Sequence, residues 1–151
     1  MKPKFKQAYM KTAKTFAELS SARRLKVGAI VVKDDRIISI GYNGMPAGWD
    51  NNCEDEIIEN YAGFEGAIHH TVLKTKPEVL HAETNAIAKL ARSNESGLGA
   101  DLFVTHSPCL ECAKLIYQSG IQTVYYHNHY RDNSGLQFLE ASGVVIEQLL
   151  L

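Results

Sequence analysis

Cysteine is scarce in this chain, positive charge has no surplus, and no apolar stretch runs long. Three cysteines occur, at positions 53, 109 and 112. Two of them stand close together as Cys-x-x-Cys, a usage that suits a reducing compartment. Sixteen Lys and Arg are offset by seventeen Asp and Glu, for a net charge of -1. No general basic field therefore exists to hold a polyanion, and nucleic acid is not expected as a partner. Arg23-Arg24-Leu25-Lys26 remains as a local basic cluster. No apolar run approaches the roughly 20 residues that span a membrane. The opening stretch MKPKFKQAYMKTAKTF is Lys-rich and amphipathic and lacks the apolar segment of a secretory signal. Repeats, linkers and low-complexity segments are also missing. These absences predict a cytoplasmic protein of one domain, residues 1–151, large enough for a core.

What is present is a set of soft metal ligands. His81-Ala82-Glu83 is followed by Pro108-Cys109-Leu110-Glu111-Cys112, with Cys109 twenty-eight positions after the His. One imidazole and two thiolates supply three zinc ligands. A fourth tetrahedral position stays open, which separates a catalytic zinc site from a closed structural one. Glu83 lies two residues from the His and is placed to move protons for a water at that position. Taken singly, either half is weak: Cys-x-x-Cys can be a redox pair, and buried thiols and a core His are common. The joint order and spacing carry the signal.

Local patterning agrees. Residues 81–94 carry Ala86, Ile87 and Leu90 at helical spacing, and residues 109–119 read as a second helix, opened through Pro108 and ended by Gly120. His81 and Cys109 would each begin a helix, with Cys112 one turn beyond Cys109. Both helix N-termini then face the metal and favour thiolate over thiol. Elsewhere, residues 5–19 read as an amphipathic helix. The apolar run 27–32 reads as a strand covered on both faces. Asp34-Asp35 makes a turn into a second strand, 36–42. Residues 44–66 read as irregular, with a short helix near 54–61, and residues 66–80 have no clear pattern. Strands at 102–105, 123–126 and 144–147 alternate with helices, including one at 135–141, which implies parallel crossovers. The expected fold is α/β, with a mixed sheet of about five strands and helices on both faces.

The pattern His-x-Glu then Pro-Cys-x-x-Cys is the signature of zinc-dependent nucleobase deaminases. With Gly41-Tyr42-Asn43-Gly44-Met45-Pro46, HAETNAI, VTHSPCLECAKLI and SGI-x-x-VYY, the chain resembles the deoxycytidylate (dCMP) deaminases of the cytidine deaminase-like superfamily. The similarity runs from about residue 8 to residue 147. It implies a three-layer α/β/α sandwich and hydrolysis of dCMP to dUMP and ammonia, the step that feeds thymidylate synthesis. It also implies a catalytic Zn²⁺ on His81, Cys109 and Cys112, with Glu83 as the proton shuttle. The backbone around Ala82 and Ser107 would read the base, and Asn43 would bond the sugar 3′-hydroxyl. Asn43 could equally serve a left-handed turn before Gly44. Arg92 and Tyr130 match family positions near the phosphate, with Arg131 and His129 in the same loop as Tyr130. Arg92 could also be a solvated charge closing its helix.

The resemblance further implies regulation, with dCTP activating and dTTP inhibiting at a second site with Mg²⁺. Lys26, Gly44, Met45, Pro46, Ala47 and Asp50 match that site, although the same loop could simply be a tight turn. Family members are usually homohexamers. Some hold a second, structural zinc. Here the family's early cysteine falls at about Ala22, leaving Cys53 with His69 or His70, short of a closed tetrahedral set. A deaminase of free cytidine or of a tRNA base, and a non-enzymatic nucleotide-sensing zinc domain, are the competing readings. A merely structural site would have no use for Glu83.

Overall fold

The computed structural model describes residues 1–63 and 66–151. Helix α1 (Pro3–Ala17) leads into strands β1 (Gly28–Lys33) and β2 (Arg36–Tyr42). A hairpin follows, β3 (Glu54–Gly63) and β4 (Gly66–Thr75). Then come α2 (Ala82–Ala91), β5 (Asp101–His106), α3 (Leu110–Gln118), β6 (Thr123–Asn128), α4 (Ser134–Ala141) and β7 (Val145–Gln148). The main sheet has five strands in the order β2-β1-β5-β6-β7. Strand β1 is antiparallel to both neighbours, while β5, β6 and β7 run parallel. The α/β fold with a mixed five-stranded sheet is as the sequence predicts.

Why the sheet is sandwiched follows from β1. Its first five residues are all buried, so both faces must be covered. Ala29 and Val31 point to one core with Ala82, Ala86 and Leu90 of α2 and Ala113 and Ile116 of α3. Ile30 and Val32 point to the other, with Met10 and Ala13 of α1. In that second core Phe103 stacks on Tyr125 at 4.5 Å and tilts against Tyr9 at 5.3 Å. Truncating such a buried ring costs about 3–5 kcal/mol. Asp34 and Asp35 both take positive φ, 51° and 57°, the two-residue turn that matches strand twist. A register shift between Val31 and Val32 bulges the β1–β2 pair.

The sheet's topology brings the site to one edge. The starts of β1 and the ends of β2, β5 and β6 lie together there. Two glycines let helices settle on that edge. A Cβ at Gly41 would lie 2.2 Å from the Ala82 carbonyl oxygen, so α2 rests on bare β2 backbone. A Cβ at Gly135 would lie 2.0 Å from the Pro108 oxygen, so α4 rests on the peptide before Cys109.

One expectation is overturned. Residues 54–61 form no helix: they belong to a strand paired with β4 from Glu54↔Thr75 to Gly63↔Gly66. Residues 64 and 65, inside the stretch read as irregular, lie outside the described residues. The acids Glu54, Asp55, Glu56 and Glu59 disfavour a strand locally, and the cross-strand ladder overrides them. Ile57, Ile58 and Ile68 remain exposed on this hairpin.

Candidate active site

His81 is the N-cap of α2 and Cys109 the N-cap of α3; Cys112 lies in the first turn of α3. Their ligand atoms all fall within 4.8 Å of one another, the one such group of three among the described residues. His81 Nδ1 lies 3.2 Å from Cys112 Sγ and 3.7 Å from Cys109 Sγ. Zinc bonds of about 2.0–2.3 Å at tetrahedral angles require nitrogen–sulfur edges of roughly 3.5 Å. The donor set therefore fits zinc in chemistry and in size. Hydrogen bonds from Cys112 and His81 lower the Cys109 thiol to about 4. Bonding to Cys109, then burial and the Glu83 carboxylate, raise Cys112. His81 is raised, first by its bond to Cys109. The three groups thus share protons that a metal would displace.

Glu83 is 4 % exposed in the first turn of α2. Burial lifts its carboxyl above the usual carboxylate range. His81, Cys109 and Glu83 open into a cavity of about 130 Å³. It is lined by His81, Ala82, Glu83, His106, Ser107, Cys109 and Tyr130 together with Ala22, Arg24, Leu25, Val27, Asn43, Thr75 and Val79. The Ser107 hydroxyl accepts the Tyr130 N–H at 2.6 Å, and the Ser107 N–H donates to Asn128 O. His106 is half-buried, its pKa lowered by burial, with Nδ1 3.0 Å from the Thr105 hydroxyl.

The other predicted residues divide. Asn43 lines the cavity, but its amide is engaged with the chain: Oδ1 accepts the Val27 N–H at 2.9 Å and Nδ2 donates to Leu25 O at 2.8 Å. Arg92 is the C-cap of α2, exposed, and does not line the cavity. Ten helical residues, at about 1.5 Å each, separate it from His81. The Arg92 backbone N–H caps the helix on Leu90 O and Lys89 O. Arg131 is exposed, and His129 Nε2 meets the Tyr126 hydroxyl at 3.3 Å. Arg24 and Thr75 also line the cavity, and neither belongs to a motif of the sequence. The Arg23-Arg24-Leu25-Lys26 cluster was the available signal.

Of the residues matched to a second nucleotide site, Met45 and Asp50 share a groove with Trp49, Asp55, Lys76, Pro77 and Glu78. Lys26, Gly44, Pro46 and Ala47 do not line it. Gly44 forms a bridge with Leu80, and Pro46 O accepts the Trp49 N–H. A Cβ at Gly44 would meet no atom within 4 Å. Cys53 is buried in a small apolar cluster with Ala22 and Val79, whereas His69 and His70 are exposed on β4.

Comparison with known proteins matches residues 3–128 to the family described as the cytidine and deoxycytidylate deaminase zinc-binding region. The chain belongs to this family. It is 37% identical over 149 residues to ComE operon protein 2 of Bacillus subtilis, covering 96% of this chain and 71% of that protein. It is 37% identical over 125 residues to the deoxycytidylate deaminase of Mycobacterium phage D29, covering 83% and 95%. The dCMP deaminase of cyanophage S-TIM5, solved in complex with dCMP and dUMP, superposes with a TM-score of 0.85 at 46% identity over 99% of each chain. No helix among the described residues is long and apolar enough to cross a membrane.

Proposed function

We propose that this deaminase hydrolyses dCMP to dUMP and ammonia, using one zinc ion on His81, Cys109 and Cys112. The observation that carries the reading is a buried Glu83 beside three zinc-type donors, with Glu83, His81 and Cys109 lining one cavity. The solved S-TIM5 relative, in complex with dCMP and dUMP, supports the choice of substrate. Zinc, when bound, supplies Lewis-acid activation of a water molecule.

The chain's own groups do the rest. Glu83 Oε takes a proton from the attacking water and delivers it to N3 of the cytosine ring. Glu83 then takes the second proton from the hydroxyl now on C4 and passes it to the exocyclic nitrogen, so that the C4–N bond breaks, ammonia leaves and the C4 carbonyl of dUMP forms. Burial raises the basicity of this carboxylate, which brings it nearer the working pH of a proton shuttle. The Ala82 N–H is among the unpaired donors of the first turn of α2 and can bond the base. Ser107, with its N–H committed to Asn128, offers its carbonyl. Tyr130, pinned by the Ser107 hydroxyl, walls the cavity. Asn43 shapes the sugar end by holding the Leu25–Val27 backbone, and any 3′-hydroxyl bond must come from its remaining capacity.

The finer reading includes supply of thymidylate synthesis, a homo-oligomer such as a hexamer, and opposed regulation by dCTP and dTTP with Mg²⁺. Met45 and Asp50 are its best-placed residues, in the Trp49 groove. That groove carries Asp50, Asp55 and Glu78 against Lys76 alone, so a triphosphate there needs its cation. The test is ammonia release from dCMP, deoxycytidine and cytidine by zinc-loaded protein. Preference for dCMP supports the reading; equal or greater turnover of cytidine overturns it.

A further inference from the structure

Strands β3 and β4 pair with one another and not with the main sheet, and among the described residues no helix or other strand packs substantially against them. A two-stranded hairpin alone in water is marginal. This one nonetheless leaves Ile57 40% and Ile68 60% exposed. Register assigns its faces, since directly opposed residues point the same way and successive residues alternate. One face carries Glu54, Glu56 and Thr75, and the chain's own loop occupies it. Glu54 accepts the Arg23 N–H, Glu56 meets Arg23 Nη1 at 3.1 Å, and Thr75 accepts from Arg24 Nη1 at 3.0 Å. The other face carries Asp55, Ile57 and Glu59 on β3 opposite Lys74, Val72 and His70 on β4, with Ile68 further along β4. Resting on the homo-oligomer reading above, we infer that this second face docks against the same face of a second copy of the chain.

The arrangement of charge selects the occupant. On this face the acids lie in the β3 row and the basic side chains in the β4 row. A two-fold axis parallel to the strands lays β3 of one copy over β4 of the other. Asp55 then meets the partner's Lys74, Glu59 meets the partner's His70, and Ile57 packs on the partner's Val72. Symmetry makes each contact twice, and such an interface closes on itself instead of growing a fibre. A two-fold axis across the strands would set acid row on acid row, and like charges brought together are repelled. Stacked sheets lie about 10 Å apart, within reach of side chains from both faces. An apolar centre flanked by charged pairs is also the ordinary anatomy of a protein interface. Asp55 meets Lys76 Nζ of its own chain at 3.8 Å, yet its side chain stays 60% exposed.

Sedimentation equilibrium of the full, zinc-loaded chain tests this. The wild type is expected to associate. Asp55→Lys and Lys74→Asp each put like charges across the contact, so each variant sediments at a lower mass, with the dissociation constant of this contact raised about a hundred-fold or more. Ile57→Ser lowers the mass as well, with no change of charge. Mixing the two charge variants restores the wild-type mass, because an all-basic pair then faces an all-acidic one. Rescue by mixing cannot come from pairing repaired within one hairpin. Wild-type mass in both charge variants overturns the hairpin contact and leaves the homo-oligomer reading standing. Variants that dissociate and stay apart when mixed overturn it too, since damage inside the hairpin would act that way. A monomeric wild type overturns both the contact and the oligomer reading.

Discussion

Gly135→Ala is a small substitution with a calculable effect on the metal centre. Gly135 is the second residue of α4 and is buried. An added Cβ would sit 2.0 Å from Pro108 O and 2.9 Å from Cys109 C and Cys109 O. A carbon–oxygen contact needs about 3.3 Å. All three atoms are backbone, so no side chain can swing aside, and α4 must separate from the Pro108–Cys109 peptide by roughly 1 Å. In an open helix the same change would stabilise by about 1 kcal/mol. Overpacking costs about 1–3 kcal/mol, and a clash against rigid backbone belongs at the upper end. The net loss is therefore about 2 kcal/mol, or roughly 4–8 °C in melting temperature for a chain of this size. Because Cys109 is a proposed ligand, zinc affinity should fall about 10–100-fold, the usual consequence of disturbing a ligand's support. Thermal unfolding of the zinc-loaded protein and titration against a competing chelator measure both. A variant that melts at or above wild type with unchanged zinc affinity would refute the packing argument.

Three further outcomes are expected. Glu83→Gln should keep zinc and bind dUMP while turnover of dCMP drops by about 10²–10⁴ or more, because an amide of the same shape carries no transferable proton; near-normal turnover would remove Glu83 from the mechanism. Cys112→Ala should lose both metal and activity, since two donors hold zinc poorly; metal analysis finding one zinc per active chain would break the ligand assignment. Saturation curves for dCMP should rise with dCTP and fall with dTTP in the presence of Mg²⁺, with a coupling of about 1–3 kcal/mol. Superimposable curves would discard the regulatory reading and leave the chemistry untouched.

What could be read from the sequence is what local chemistry determines. Val31 and its neighbours are apolar on both faces, so β1 had to lie inside a sandwich. Asp34-Asp35 tolerates the left-handed backbone that a two-residue hairpin needs. The helices beginning at His81 and Cys109 announce themselves by apolar spacing and by Pro108, and the metal-ligand spacing itself is written in the chain. Tertiary structure decided the rest, wherever a residue's meaning depends on what lies across from it. The hairpin of β3 and β4 is held by pairing between strands rather than by the strand preference of its acids. Arg92 and Arg24 carry the same charge and each sits near a motif. Yet α2 carries Arg92 away from the cavity, while Glu54 and Asn43, from distant parts of the chain, hold Arg24's loop at its edge. Asn43 is legible in the sequence as a residue near the site, but the bonds from its amide to the Leu25–Val27 backbone join strand end and loop in a way that no local pattern encodes. Side-chain type and spacing are properties of the chain. Which side chain faces the cavity is a property of the pairing.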